Sequence, residues 1–378
     1  MKLRAEARID LDAVRGNVET LRACAGDAQV MAVVKADAYG HGLVPCARAA
    51  RAGGAGWLGT ALVEEAVTLR RAGLDGRILA WLAAPDETAY VDAVAADVDL
   101  SASAPWAVEE IAAAATAAGR AARLHLKVDT GLSRGGAAGT DWPELVDVAL
   151  RAQAEGTVRV VGLWTHFAWA DAPGHPTIGR QSALFAEAVA LAEKAGVEPE
   201  VRHLANSAAT LTSPQTHFDL VRPGIAVYGI SPMDDQPSAS FGLRPAMTLV
   251  ARLALVKRVP AGSGVSYGHE YVTDRATTLG LVPLGYADGV PRHAGGRGPV
   301  LAAGRVRPVA GRVCMDQVVL DLGDDAAEAG DEVVLFGPGD AGEPTAADWA
   351  RAADTIAYEI VTRVGPRVPR TFGGPAWT

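Results

Sequence analysis

Val33-Val34-Lys35-Ala36-Asp37-Ala38-Tyr39-Gly40-His41-Gly42 is a short β-branched run that ends on a lysine and breaks at once into a glycine-punctuated loop. Lysine is the side chain that condenses with carbonyls, so an amine delivered by a strand into a loop can meet a substrate or cofactor carbonyl there. Most single lysines at strand ends are only solvated charge, and what stands at the other strand ends decides between the two readings. Lys127-Val128-Asp129-Thr130-Gly131-Leu132-Ser133-Arg134, Thr165-His166-Phe167, His203-Leu204-Ala205-Asn206-Ser207 and Arg222-Pro223-Gly224-Ile225 each close an apolar run with polar chemistry. Ser207 opens a helical stretch and Gly224-Ile225 follows a proline-fixed turn, so both offer backbone N–H groups to an anion such as phosphate. Taken singly, Ser207 is an N-cap, Gly224 a turn glycine, Arg222 half of a structural ion pair, and His166 or His203 a core imidazole. Taken together, a carbonyl-reactive amine beside a phosphate cradle points to pyridoxal 5′-phosphate, whose ring accepts the electrons of a carbanion. No carboxylate, imidazole or thiolate spacing matches a metal ligand set.

Something must hold those ends on one rim. From Ile9 to about Ile230, strand-like runs alternate with helical segments. The strand candidates are Val30–Lys35, Trp57–Thr60, Ile78–Leu82, Val98–Ser101, Leu124–Asp129, Val160–His166, Val201–Asn206 and Leu220–Ile225. Between them Asp12–Ala23, Leu62–Ala72, Ala107–Ala118, Glu144–Glu155 and Gln181–Ala195 repeat apolar residues at spacings of three and four, the helical period. Strand–helix alternation predicts a parallel sheet, and eight such units predict a (β/α)8 barrel, with chemistry at the C-terminal strand ends. An open doubly wound sheet would need a glycine-rich turn after its first strand, and none is there. Past Pro232–Pro245 the texture becomes β-only: Met247–Val259, Thr277–Leu284, Val300–Val309, Val313–Leu322 and Glu332–Phe336, then one late helix over Thr345–Val364. The expected division is residues 1–238 as the barrel and 239–378 as a mostly-β domain.

A chain of 378 residues with 49% hydrophobic content can fill two cores. A net charge of −9 argues against nucleic-acid partners and against an anionic membrane surface. Three scattered cysteines, Cys24, Cys46 and Cys314, form no disulfide framework. With no signal-peptide pattern or spanning apolar run, these features predict a soluble cytoplasmic protein.

Along nearly its whole length the sequence resembles the alanine racemase family, pyridoxal-phosphate enzymes of fold type III. Val33–Gly42 is similar to the family's cofactor-lysine signature, as are Lys127–Arg134, His203–Ser207, Arg222–Ile225, Val265–His269, Leu284–Gly289, Gly311–Gln317 and Ala357–Glu359. The resemblance implies a homodimer with sites shared across the interface, L- and D-alanine as substrates, and a product used for cell-wall peptidoglycan. It implies that Lys35 holds the cofactor and acts as one base, with Tyr267 of the partner subunit as the other. It implies a phosphate set of Tyr39, Ser207, Gly224, Ile225 and Tyr358, with Asn206 nearby. Arg222 would face the pyridine nitrogen and Arg134 the phenolic oxygen and substrate. His166 would link Tyr267 to Arg222, and His203 would brace Arg222 from behind. Met315 and Asp316 would meet the substrate carboxylate, while Asp171, Tyr286, Arg292 and Arg312 would line the entry corridor. Lys127 falls where the family carries either a carbamylated lysine or a neighbouring chloride.

Two-base racemisation needs a base on each face of one carbon. An arginine at the pyridine nitrogen cannot give up its proton, which keeps the nitrogen unprotonated and curbs side reactions. The family's decarboxylase relatives carry an acidic residue there, and the non-catalytic barrels lack the second domain. One departure stands out: Ser133 precedes Arg134 where the family usually has glycine.

Overall fold

The computed structural model describes residues 3–82, 84–86 and 88–374; the outermost residues of the expected division, 1–2 and 375–378, lie outside it. The first strand, β1 (Ala5–Asp10), is followed by helix Leu11–Ala25, whose start is capped by Asp10 Oδ1 accepting from Ala13 N–H at 3.0 Å. Eight parallel strands then build the barrel: β2 (Gln29–Val33), β3 (Trp57–Thr60), β4 (Arg77–Ala80), β5 (Asp99–Ala102), β6 (Ala122–Lys127), β7 (Val158–Trp164), β8 (Val201–His203) and β9 (Leu220–Val221). They pair in sequence order from β2 to β8, with β9 against β2. The β8–β9 seam is carried by Asp219 N–H to Arg202 O (3.1 Å) and Arg222 N–H to Ala205 O (2.8 Å). All eight strands fall on the runs read from sequence.

The lumen departs from the usual aliphatic filling. Residues two apart on a strand share a face, and the inward set comprises Met31, Trp57, Leu79, Val201, Leu220 and Trp81 together with Asp99, Ser101, His125, Trp164, His203 and Arg222. They touch across the barrel: Trp57 edges onto His125 (5.7 Å), Trp81 lies 6.2 Å from Trp164, and Trp164 stacks on His203 at 5.6 Å and 9°. Trp164 Nε1 donates to Ser101 Oγ at 2.8 Å.

The second domain holds a six-stranded sheet ordered Arg305–Pro308, Pro299–Ala302, Glu332–Phe336, Met247–Arg252, β1, Arg370–Gly373, and a three-stranded sheet of Leu255–Val259, Thr277–Val282 and Val318–Gly323. Residues Ala5–Asp10 of the expected 1–238 barrel segment therefore belong to the second sheet, antiparallel to Met247–Arg252 and parallel to Arg370–Gly373. Strand pairing is non-local, and an alternating strand does not name its partner. The run Val300–Val309 folds back on itself at Ala303-Gly304, both at positive φ (47° and 73°). The expected single helix over Thr345–Val364 is two, Ala346–Ala353 and Ala357–Thr362, because Asp354 turns left-handed at φ 54°. Beyond that break Ile356 is 53% exposed, although the spacing of Ala346, Trp349, Ala353, Ile356 and Ile360 in one continuous helix would put it on their common face.

Candidate active site

Lys35 stands two residues past the end of β2, and the chain then makes a left-handed turn: Ala36, Asp37, Ala38 and Tyr39 all have φ between 53° and 55°. Each costs about 1–2 kcal/mol for a residue with a Cβ, so the turn survives only because its groups are satisfied. Ala36 N–H donates to Glu65 Oε1 (2.6 Å), Leu43 N–H to Asp37 Oδ1 (2.7 Å), and Gly42 N–H to Asp37 O (2.9 Å). Buried His41 fastens the turn from below through Nδ1, 3.0 Å from both Ala38 O and Tyr39 O, and stacks on Tyr228 at 4.5 Å. Strain held at a loop that displays a lysine fits a functional site. Burial and then the Arg134 charge lower the Lys35 ammonium from its ordinary value, against the pull of Glu65. Its Nζ faces the Trp81 ring at 5.9 Å.

Around it the mouth is cationic. Lys127 Nζ sits 4.5 Å over the Trp164 ring, and burial, Arg222 and Arg134 pull it down to about 8. Arg222 is buried, 4.9 Å from the same ring, and donates to His203 Nδ1 (3.0 Å), His166 Nδ1 (3.2 Å) and Thr165 O (2.9 Å). Burial lowers it to about 9, still charged at neutral pH. Arg134 is exposed, on a loop gathered by Asp129 Oδ1, which accepts the N–H groups of Gly131, Leu132 and Ser133. Ser133 stands at φ 56°, in the left-handed region a glycine adopts freely.

Opposite the cations is a cradle of hydroxyls and amides. Ser207 Oγ accepts from Gly224 N–H (2.8 Å) and Ala226 N–H (3.3 Å), while the N–H of buried Ile225 has no acceptor among the described residues. A Cβ on Gly224 would fall 2.3 Å from Tyr39 Oη, so only glycine lets the phenol approach this backbone. Tyr39 lies 6.2 Å from Tyr358, and burial raises both phenols well above their ordinary value, Asp171 adding to the effect on Tyr358. Asn206 caps helix Ser207–Thr212 through Ala209 N–H at 3.1 Å.

Tyr267, Met315 and Asp316 are not brought to this mouth. They line a separate pocket of about 370 Å³ with Ser266, Cys314 and Gln317, all from the second domain. Tyr267 is 71% and Met315 53% exposed. Asp316 pairs with Arg367 at 2.7 Å and Arg312 with Glu270. Tyr286 and Arg292 are exposed nearby, the Tyr286 N–H bonding Cys314 O at 3.1 Å. Sequence reasoning missed Glu65, Trp81, Trp164, Asp99 and His125. The last two were readable only as inward positions of β5 and β6.

His41, His125, His166 and His203 are all pushed below their ordinary value, burial being the first cause each time. His41 is held at about 4 against 6.5 when exposed. The unfolded chain therefore binds protons first as the pH falls, and stability present above 6.5 is lost toward pH 4. His41 alone accounts for about 3 kcal/mol. Melting temperature should drop steeply from pH 7 to 5, and less steeply in His41→Gln; a flat profile would show these histidines protonated in the fold.

A parallel barrel with a desolvated lysine at its cationic mouth, joined to a mostly-β domain whose larger sheet takes in Ala5–Asp10 and Arg370–Gly373, defines a two-domain barrel enzyme. Residues 9–232 match the family described as alanine racemase, N-terminal domain, and residues 246–372 that described as alanine racemase, C-terminal domain. The alanine racemase of Frankia casuarinae is 64% identical over 98% of this chain and 96% of its own, and that of Streptomyces coelicolor 63% identical over the same shares. The crystal structure of alanine racemase from Streptomyces lavendulae superposes with a TM-score of 0.98 at 62% identity, covering 99% of this chain and 98% of that one. That of Bacillus anthracis with bound L-Ala-P gives 0.90 at 34%, covering 99% and 96%. The chain belongs to the alanine racemase family. Among the described residues no helix is long and apolar enough to cross a membrane, and no cluster of His, Cys, Asp and Glu could hold a metal.

Proposed function

We propose that this protein interconverts L- and D-alanine using pyridoxal 5′-phosphate held at Lys35, as a cytoplasmic homodimer that supplies D-alanine for peptidoglycan. The observation that carries the reading is the barrel mouth, where a desolvated lysine, three further cations and a hydroxyl–amide cradle converge. That donor set fits a phosphorylated aldehyde: the orphan Ile225 N–H, Ser207 Oγ and the phenols of Tyr39 and Tyr358 suit its phosphate, with Asn206 alongside and Gly224 leaving the room. Its ring, when bound, supplies an electron sink for the carbanion left when the substrate loses its α-proton.

The chain does the rest. Lys35 moves the α-proton on one face, and its lowered basicity leaves more free amine near neutral pH. Tyr267 of the partner subunit serves the other face, a role supported by its exposure and by a pocket built without any barrel residue. Arg222 presents a guanidinium that can only donate to the ring nitrogen, with His166 linking it toward Tyr267 and His203 behind it. Arg134 meets the phenolic oxygen and the substrate, and Met315 with Asp316 takes the substrate carboxylate. Asp171, Tyr286, Arg292 and Arg312 line the approach, and Lys127 sets the charge beside Arg134.

The test is incubation of the purified protein with L-alanine, followed by chiral separation of the product and an absorbance spectrum of the enzyme. Approach to an equal mixture of enantiomers, with a cofactor band in the visible or near ultraviolet, is the expected result. Pyruvate, carbon dioxide or unchanged L-alanine would overturn the reading.

A further inference from the structure

One unbroken polar chain crosses the barrel lumen. Asp99 Oδ2 lies 3.1 Å from His125 Nε2, His125 Nδ1 lies 2.9 Å from His203 Nε2, and His203 Nδ1 lies 3.0 Å from Arg222 Nη1. The side chains of Asp99 and His125 have no exposed surface, and His203 and Arg222 are buried as well. At its far end Asp99 also receives Arg123 Nε at 2.6 Å and Arg77 Nη2 at 2.5 Å. Burial raises its carboxyl, but the surrounding donors, His125 and Arg77 foremost, hold it down at about 2.

Proton counting allows one direction through this chain. A guanidinium only donates, so His203 Nδ1 must be bare and its hydrogen must sit on Nε2. His203 Nε2–H then donates to His125 Nδ1, and His125 Nε2–H donates to Asp99. An ionised carboxylate only accepts, so both ends enforce the same orientation. The imidazoles stay neutral, burial and then Arg222 keeping His203 far below its ordinary value.

The surrounding backbone makes room for the arrangement. The β6–β7 register shifts between Leu124 and His125, so that Gly162 faces His125. A Cβ on Gly162 would lie 2.0 Å from His125 Nδ1, which leaves glycine as the one residue that admits the ring there. Arg222 has no carboxylate partner among the described residues, and the carboxylate at the far end of its hydrogen-bond chain is itself paired with Arg77 and Arg123.

We infer that Asp99 and His125 are positioning residues: they lock His203 in the Nε2–H tautomer, so that Nδ1 always accepts from Arg222 and the guanidinium keeps one orientation toward the mouth. The inference deepens the role proposed for Arg222 above and rests on it for its catalytic consequence, though not for the tautomer itself. In Asp99→Asn the amide can turn its NH2 toward His125 Nε2. That arrangement reverses both imidazoles and puts a hydrogen on His203 Nδ1, donor against donor with Arg222, so the Asp99 end no longer enforces the direction and only the guanidinium opposes the reversal. His125→Gln preserves the direction, its carbonyl accepting from His203 and its NH2 donating to Asp99, whereas His125→Leu breaks it.

Nitrogen-15 NMR of histidine-labelled protein, with cofactor and without it, reads the tautomer directly. Wild type and His125→Gln should show His203 wholly protonated at Nε2, while in Asp99→Asn and His125→Leu, where only Arg222 still opposes the other form, a measurable share of His203 should carry its hydrogen on Nδ1. In the same variants kcat for alanine should fall about 10- to 100-fold with KM little changed, and His125→Gln should restore most of it. A wild-type His203 carrying its hydrogen on Nδ1 would overturn the inference without any variant needing to fold. So would equal losses in His125→Gln and His125→Leu, since a merely structural role makes no such distinction. If the tautomers shift as expected but wild type racemises nothing, the functional reading fails and the lock stands.

Discussion

Lys35→Ala should lower alanine racemisation by about 10⁴- to 10⁶-fold, the scale on which removal of a covalent group that also acts as base is felt. Its ammonium faces the Trp81 ring at 5.9 Å and is disfavoured by burial and by Arg134, so truncation relieves a charge conflict. The variant should therefore fold, and its melting temperature should stay near that of wild type. Lys127 is the informative competitor, being also desolvated, held at about 8 and close to the same cations. Borohydride treatment of the loaded enzyme followed by peptide mapping should place the pyridoxyl label on Lys35. A label on Lys127, Lys194 or Lys257 would refute the assignment.

Tyr267→Phe should cost about 10²- to 10⁴-fold, the usual weight of a positioned general base. The sharper result comes from mixing. Tyr267 is 71% exposed and shares its pocket with no residue of the barrel. If a partner supplies it, a two-fold dimer of one Lys35→Ala chain and one Tyr267→Phe chain contains one intact site and one doubly defective site. Equal mixing with random exchange makes half of the dimers mixed, so about one quarter of the wild-type activity should return. Mixtures that stay inactive after exchange has been demonstrated would place both bases in one chain.

The periodic signals in the sequence were strong because they are local. Inward residues recur every second position in a strand and apolar ones every third or fourth in a helix, so all eight barrel strands could be read, as could five of the helices around them, while the shorter Leu43–Ala52 and Tyr90–Ala95 were not. Lys35, Arg134, His166, Ser207 and Arg222 were legible for a related reason: each stands where such a period stops, which in a parallel barrel means one rim. The glycines at 40, 42 and 224 were visible in advance as loop and turn glycines, though the need at Gly224, a phenol 2.3 Å from where its Cβ would be, was not.

What tertiary structure alone decided is what faces what. Alternation shows that Ala5–Asp10 has a buried side, but its partners lie more than two hundred residues away, in Met247–Arg252 and Arg370–Gly373. The left-handed turn after Lys35 depends on a carboxylate from another helix, Glu65, and nothing in the local sequence announces that acceptor. Asp99 and His125 look like isolated polar interruptions of apolar strands, unconnected with His203 at its own strand end. Only closure of the barrel sets their side chains end to end and joins them to Arg222. Closure also desolvates Lys35, and desolvation depends on what surrounds the amine in space, not on its neighbours in the chain.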